Sequence, residues 1–169
     1  MSTILIKRFR NADESIPVFQ QLNALFDEIR RRAFSFFEER GAAPGRDLDD
    51  WLAAERDILW SPPLELVEDQ KEFRIRLMAP GYEPKEIEIS AMPEGIVVQG
   101  EHQDKQAEPA ELRMSEFGSK KMYRRLDLPA PVDPDKVSAG LVNGILTIVA
   151  GKATPAKEKK IFVTTSDAA

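Results

Sequence analysis

Hydrophobic and polar positions along the chain follow two periods, and the change between them falls at Ser61-Pro62-Pro63. Before that break, apolar side chains recur at Phe19, Leu22, Phe26, Ile29, Ala33 and Phe37. Spacings of three and four place them along one helix face. Ser15 is suited to cap such a helix, Pro17 to its first turn and Gly41 to its end. A second helix is predicted from Asp47, with Leu48, Trp51, Leu52 and Ile58 on an apolar face and acidic residues in its first turn. After the break the period becomes two. Leu64–Glu68 is a predicted strand, and in Glu72–Met78 apolar and charged residues alternate strictly, as in an antiparallel sheet with one dry face. Further strands are predicted at Glu86–Ile89 and Ile96–Glu101. Val137, Ala139 and Leu141 then alternate into Asn143-Gly144, a pair that accepts the positive φ of a tight hairpin turn, and Ile145–Val149 resumes as a β-branched run.

The hairpin resembles the A-x-x-x-n-G-v-L signature of the α-crystallin domain, the core of small heat-shock proteins, at Ala139, Asn143, Gly144, Ile145 and Leu146. Other stretches resemble that family in the same order. Ala79-Pro80-Gly81-Tyr82 stands in place of its l-P-G-f turn. Gly95–Glu101 is similar to its g-x-L-x-I-x-G-E strand, and Met122–Pro129 to F-x-R-x-f-x-L-P with Met for Phe. The resemblance covers about residues 62–152. It implies an all-β core: an immunoglobulin-like antiparallel β-sandwich (α-crystallin domain) with a helical N-terminal arm and an extended C-terminal tail. The expected division is residues 1–60 for the arm, 61–152 for the sandwich and 153–169 for the tail. Residues 29–58 also resemble a short bacterial helical domain of unknown function, in Arg32-Ala33, Glu39-Arg40-Gly41 and Asp50–Glu55, a likeness that carries no chemistry.

Charge and composition narrow the function. Net charge is −5, which argues against a nucleic-acid binder held by a basic surface. Cysteine is absent and His102 is the single histidine, so zinc and Cys-His sites are not expected. His102 itself reads as a solvated loop residue. Gly144 to Lys152 superficially suggests a phosphate loop, but six residues separate Gly144 from Gly151 instead of four, and Ala153 stands where Ser or Thr should hold magnesium. No run approaches the ~18 apolar residues of a membrane span, and Met1-Ser2-Thr3 leads into no secretory segment. The expectation is a cytoplasmic protein that is not an enzyme, uses no cofactor, metal or nucleotide, and binds neither nucleic acid nor membrane.

Eight of the thirteen aromatic residues lie in the first 60 positions. Two short helices cannot bury them all, which leaves either an independent helical module or an arm whose apolar surface is covered only on assembly. The family resemblance implies the second, within an ATP-independent holdase that binds unfolded or partly unfolded client proteins. Its implied client-binding residues are Phe19, Phe26, Phe34, Phe36, Phe37 and Trp51, with Ile87, Ile89, Val137 and Ala139 lining a groove between edge strands. Ile161 and Val163, in a tail motif similar to the family's I-x-I/V, would dock in that groove on a neighbour. Burying two such side chains is worth roughly 3–6 kcal/mol before ordering costs. Residues 111–116 alternate like a strand, and the resemblance implies that Leu112, Arg113 and Met114 cross to a partner in a swapped dimer; the other reading is a loop. Arg124 matches the family's arginine beside the dimer interface, against the plainer reading of an exposed strand arginine. The competing class is a monomeric p23-like co-chaperone or adaptor sandwich, which lacks both the swapped strand and the docking tail.

Overall fold

The computed structural model describes residues 3–11, 16–102 and 120–154. Strand β1 (Leu5–Arg8) precedes helices α1 (Ile16–Glu39) and α2 (Asp47–Ile58), which form an antiparallel hairpin. Then come β2 (Leu59–Trp60), β3 (Leu64–Glu68), β4 (Glu72–Met78), β5 (Ile87–Met92), β6 (Gly95–Glu101), β7 (Lys121–Asp127), β8 (Val132–Val142) and β9 (Ile145–Lys152). They build two sheets, ordered β1-β5-β6-β7-β2 and β3-β4-β9-β8.

The two sheets bury one another's apolar faces. In β4 the predicted alternation holds: Phe73, Ile75 and Leu77 are buried, while Arg74, Arg76 and Met78 face solvent. They meet Ile87, Ile89, Ile96, Met122, Leu146 and Ile148 in one core. The β8–β9 hairpin turns on Asn143 and Gly144, with φ of 52° and 72°. Positive φ at both positions matches the right-handed twist of the flanking strands. A side chain at Gly144 would also stand 3.2 Å from the Pro80 Cα.

Two features depart from a purely antiparallel sandwich. Strands β1 and β2 both pair in parallel, β1 along β5 and β2 along β7, so each closes one edge of the first sheet. β5 is buried on both faces for a related reason. Ile87, Ile89 and Ala91 point to the core, while Met92 packs with Val18, Val97, Phe9 and Tyr123 where α1 starts across the sheet's outer side. The expected strand at 111–116 and the expected tail segment lie outside the described residues.

Candidate client and assembly surfaces

The helical hairpin is fixed by polar contacts as much as by its apolar seam. Arg40, near the end of α1, forks onto Asp50 in α2, with Nη2 at 2.6 Å from Oδ2 and Nε at 3.0 Å from Oδ1. Its Nη1 donates to the Ala43 carbonyl, which ties in the connecting loop. This hydrogen-bonded pairing holds the Asp50 carboxyl below the usual carboxylate range. Arg32 reaches Asp57 at 2.7 Å. Two cations lie over rings, Arg32 at 4.2 Å from the Phe36 centroid and Arg40 at 5.2 Å from that of Phe37. α1 is moored to the first sheet by Gln99–Gln21 at 2.8 Å and Lys121–Glu28 at 2.5 Å.

This mooring leaves much of the hairpin's apolar surface in water. Phe26, Phe34, Leu48 and Leu52 are 43%, 57%, 69% and 41% exposed. Phe26 leans on Trp51 at 6.2 Å, and Phe34 on Phe37 at 5.9 Å. Phe36, Phe37 and Trp51 are half-buried. Phe19 lies within α1, and its side chain is outside the description. Of the sequence-predicted client residues on the arm whose side chains are described, Phe26 and Phe34 are the most accessible.

The expected open groove requires correction. Ile87, Ile89 and Val137 are 1%, 0% and 3% exposed, and only Ala139 is half-buried. The cause is β1. Its residues run beside β5 with Leu5 opposite Glu88, Ile6 opposite Ile89 and Arg8 opposite Ala91. Ile4 and Ile6 pack against the core, and Arg8 donates across the seam to the carbonyls of Pro134 (3.1 Å) and Val137 (3.2 Å) on β8. Lys7 pairs with Glu88 at 2.7 Å and Arg10 with Asp135 at 2.7 Å. Residues 87, 89 and 137 thus cannot touch a client in this arrangement. The sequence reading missed β1, although Ile4-Leu5-Ile6 has the same branched–apolar–branched pattern as the tail motif.

Among the described residues no strand pairs with either edge of the second sheet, although Arg8 reaches two carbonyls of β8. β8 is blunted by Pro134 and by a register shift between Val132 and Val137. β3 has neither device, and its Val67 is 53% exposed. Arg124, on β7, is half-buried; its Nη1 donates to Ser61 Oγ at 3.0 Å, whereas its buried Nε has no partner among the described residues. Leu112, Arg113, Met114, Ile161 and Val163 lie outside the described residues. His102 is half-buried, not solvated: its Nδ1 lies 3.1 Å from the Glu86 carboxylate and its ring 5.8 Å from that of Tyr82. Among the described residues no cluster of His, Asp or Glu is placed to hold a metal, and no helix is long and apolar enough to cross a membrane.

Comparison with known proteins places this architecture. The profile of a protein family of unknown function, DUF2934, matches residues 25–59, which take in the later part of α1 and all of α2. The chain is 32% identical over 105 residues to the 26.7 kDa chloroplastic heat shock protein of rice (Oryza sativa subsp. japonica), covering 60% of this chain and 43% of that one. It is 27% identical over 105 residues to a probable 15 kDa heat shock protein of Leptospira interrogans, covering 62% and 80%. It is similar in fold to heat shock protein 16.0 from Schizosaccharomyces pombe, with a TM-score of 0.51 and 21% identity over 63% of this chain and 99% of that one. The chain therefore spans less than half of the rice relative and most of the Leptospira one. The profile of the Hsp20/alpha crystallin family matches residues 65–164, from the first strand of the second sheet through the tail motif, and the chain belongs to that family.

Proposed function

We propose that the chain is an ATP-independent holdase chaperone that binds unfolding proteins through its helical arm and works as dimers assembled into larger oligomers. Family membership supports the class. The observation that carries the reading for this chain is the exposed apolar surface of Phe26, Phe34, Leu48 and Leu52 on a hairpin moored to a rigid sandwich. Exposed apolar side chains clustered in one place mark a binding surface, and capturing a sticky segment there lowers the free concentration of aggregating species. Such a function needs no catalytic group, so we read the protein as a non-enzyme acting without nucleotide, in the cytoplasm, on unfolded clients and on copies of itself.

Two observations favour assembly over a monomeric p23-like adaptor. β3 offers an unblunted row of backbone donors and acceptors, and residues 111–116 of a second copy would complete it. An unpartnered buried guanidinium nitrogen is costly, and a carboxylate from that copy would satisfy Arg124 Nε. The tail motif Ile161-Phe162-Val163 would link dimers.

The test replaces the four exposed side chains together: Phe26→Ser, Phe34→Ser, Leu48→Ser and Leu52→Ser. Their exposure predicts a variant that folds, assembles and no longer suppresses heat-induced light scattering of a test substrate at equal subunit concentration. Undiminished protection by a folded variant would place client binding elsewhere.

A further inference from the structure

The chain carries two segments of one pattern and a single seam that fits it. Ile4-Leu5-Ile6-Lys7-Arg8 reads branched, apolar, branched, basic, basic. The tail read backwards, Val163-Phe162-Ile161-Lys160-Lys159, reads the same. In an extended strand the two branched residues of each segment fall on one side. The first segment occupies the seam between β5 and β8, parallel to β5, with Ile4 and Ile6 against the core and its basic residues on Glu88 and on the β8 carbonyls.

We propose that Ile4–Arg8 is an intramolecular plug, and that the tail segment Ile161-Phe162-Val163 of a second copy displaces it and docks antiparallel to β5 in the same seam. This rests on the reading that the tail is a docking motif. The matching order of residues carries the orientation. Running antiparallel, Val163 and Ile161 take the places of Ile4 and Ile6, and Lys160 takes that of Lys7 beside Glu88. The plug is built to leave. Its strand is four residues long, stands at a sheet edge and pairs with β5 on one side only. Short edge strands open at the low end of a protein's local stabilities. A parallel pair is also slightly less stable per residue than the antiparallel pair that would replace it. The chain continues for fifteen residues beyond Thr154, with Ile161 seven residues along, a reach of about 23 Å when extended. A subunit alone is thus self-capped, with the seam beside Ile89 and Val137 closed, and assembly begins by trading one extended segment for another.

The absence of cysteine allows a direct test. Lys7 and Ser90 are strand partners, so Lys7→Cys with Ser90→Cys in the full chain gives a disulfide that locks the plug. The probe is a fluorescent peptide of residues 153–169, with the same peptide carrying Ile161→Gly and Val163→Gly as the control. The oxidised chain should fail to bind the peptide, and reduction should restore binding. Ile4→Ser with Ile6→Ser should bind it on the order of tenfold tighter than the unaltered chain, because a larger fraction of seams is open. Should the freed variant fail to fold, the lock decides alone. Equal binding by the oxidised and reduced forms overturns the plug and leaves tail docking intact. Binding by none of the forms, the freed variant included, overturns the docking reading itself.

Discussion

At the scale of single residues, the Arg40–Asp50 pair shows what the sequence conceals. Asp50 looks like one of several acidic residues in a first helical turn, suited to the helix dipole. In the fold it is 8% exposed and takes both oxygens to one guanidinium. Its carboxyl sits below the usual range because Arg40 donates to the charged form. Asp69 and Asp133 are lowered as well, Asp69 by accepting the backbone N–H groups of Lys71 and Glu72, Asp133 by accepting that of Asp135 and by the Lys136 side chain. The sign of the pH effect follows. A carboxyl depressed in the folded state stabilises above its unfolded value, near pH 4, and that contribution is lost as pH falls through the folded value. Asp50→Asn should therefore lower the thermal midpoint near neutral pH, and the gap to the unaltered chain should close on acidification, since a protonated Asp50 is no better than Asn. Melts followed by circular dichroism from pH 6 to pH 3 check this. A gap that stays constant throughout would show that the charge of Asp50 is not what holds the hairpin.

At the scale of elements, an unblunted β3 beside a blunted β8 makes a directional prediction about pairing. Met114→Pro removes a backbone donor from the segment expected to complete β3. Dimers should dissociate on dilution while the sandwich keeps its circular dichroism spectrum, and an unaltered sedimentation profile would make residues 111–116 a loop. The strands and helices that were legible in the sequence are those long enough to show a period. β4 alternates over seven residues, and α1 repeats its apolar face over six turns. β1 and β2 are four and two residues long and pair in parallel with strands far along the chain, so the branched–apolar–branched pattern of Ile4-Leu5-Ile6 is too short to set a period. That is why an open groove at Ile87, Ile89, Val137 and Ala139 was expected and the strand that runs beside it was not. The exposed Phe26 and Phe34 were legible for the opposite reason: a surplus of aromatic residues on two short helices must leave some outside.

At the scale of the whole molecule, the arm is interleaved with the sandwich, and this changes how it can be removed. Deleting residues 1–60 strips away β1 and β2 together with the helices, opening both edges of the first sheet and losing the packing of Ile4, Ile6 and Trp60. Trp60 also stacks on Tyr82 at 6.2 Å. Keeping residues 1–11 and 58–169 and replacing what lies between with a Gly/Ser linker removes the helices alone. The linker must cross four strand spacings, about 19 Å, and also five residues along the strands, about 17 Å, a span of about 25 Å in all. About twenty flexible residues have a mean span near 25 Å, which suffices. Three partly buried apolar side chains are worth roughly 3 kcal/mol, a difference of about 10–20 °C in midpoint for a domain of this size. The linked chain should melt higher than the simple deletion by that margin, compared at equal subunit concentration because assembly shifts both midpoints. Neither should suppress light scattering, as both lack Phe26, Phe34, Leu48 and Leu52. Coincident melting curves would mean that β1 and β2 add nothing to the sandwich. Protection by the linked chain would move client binding from the helices to the sheet.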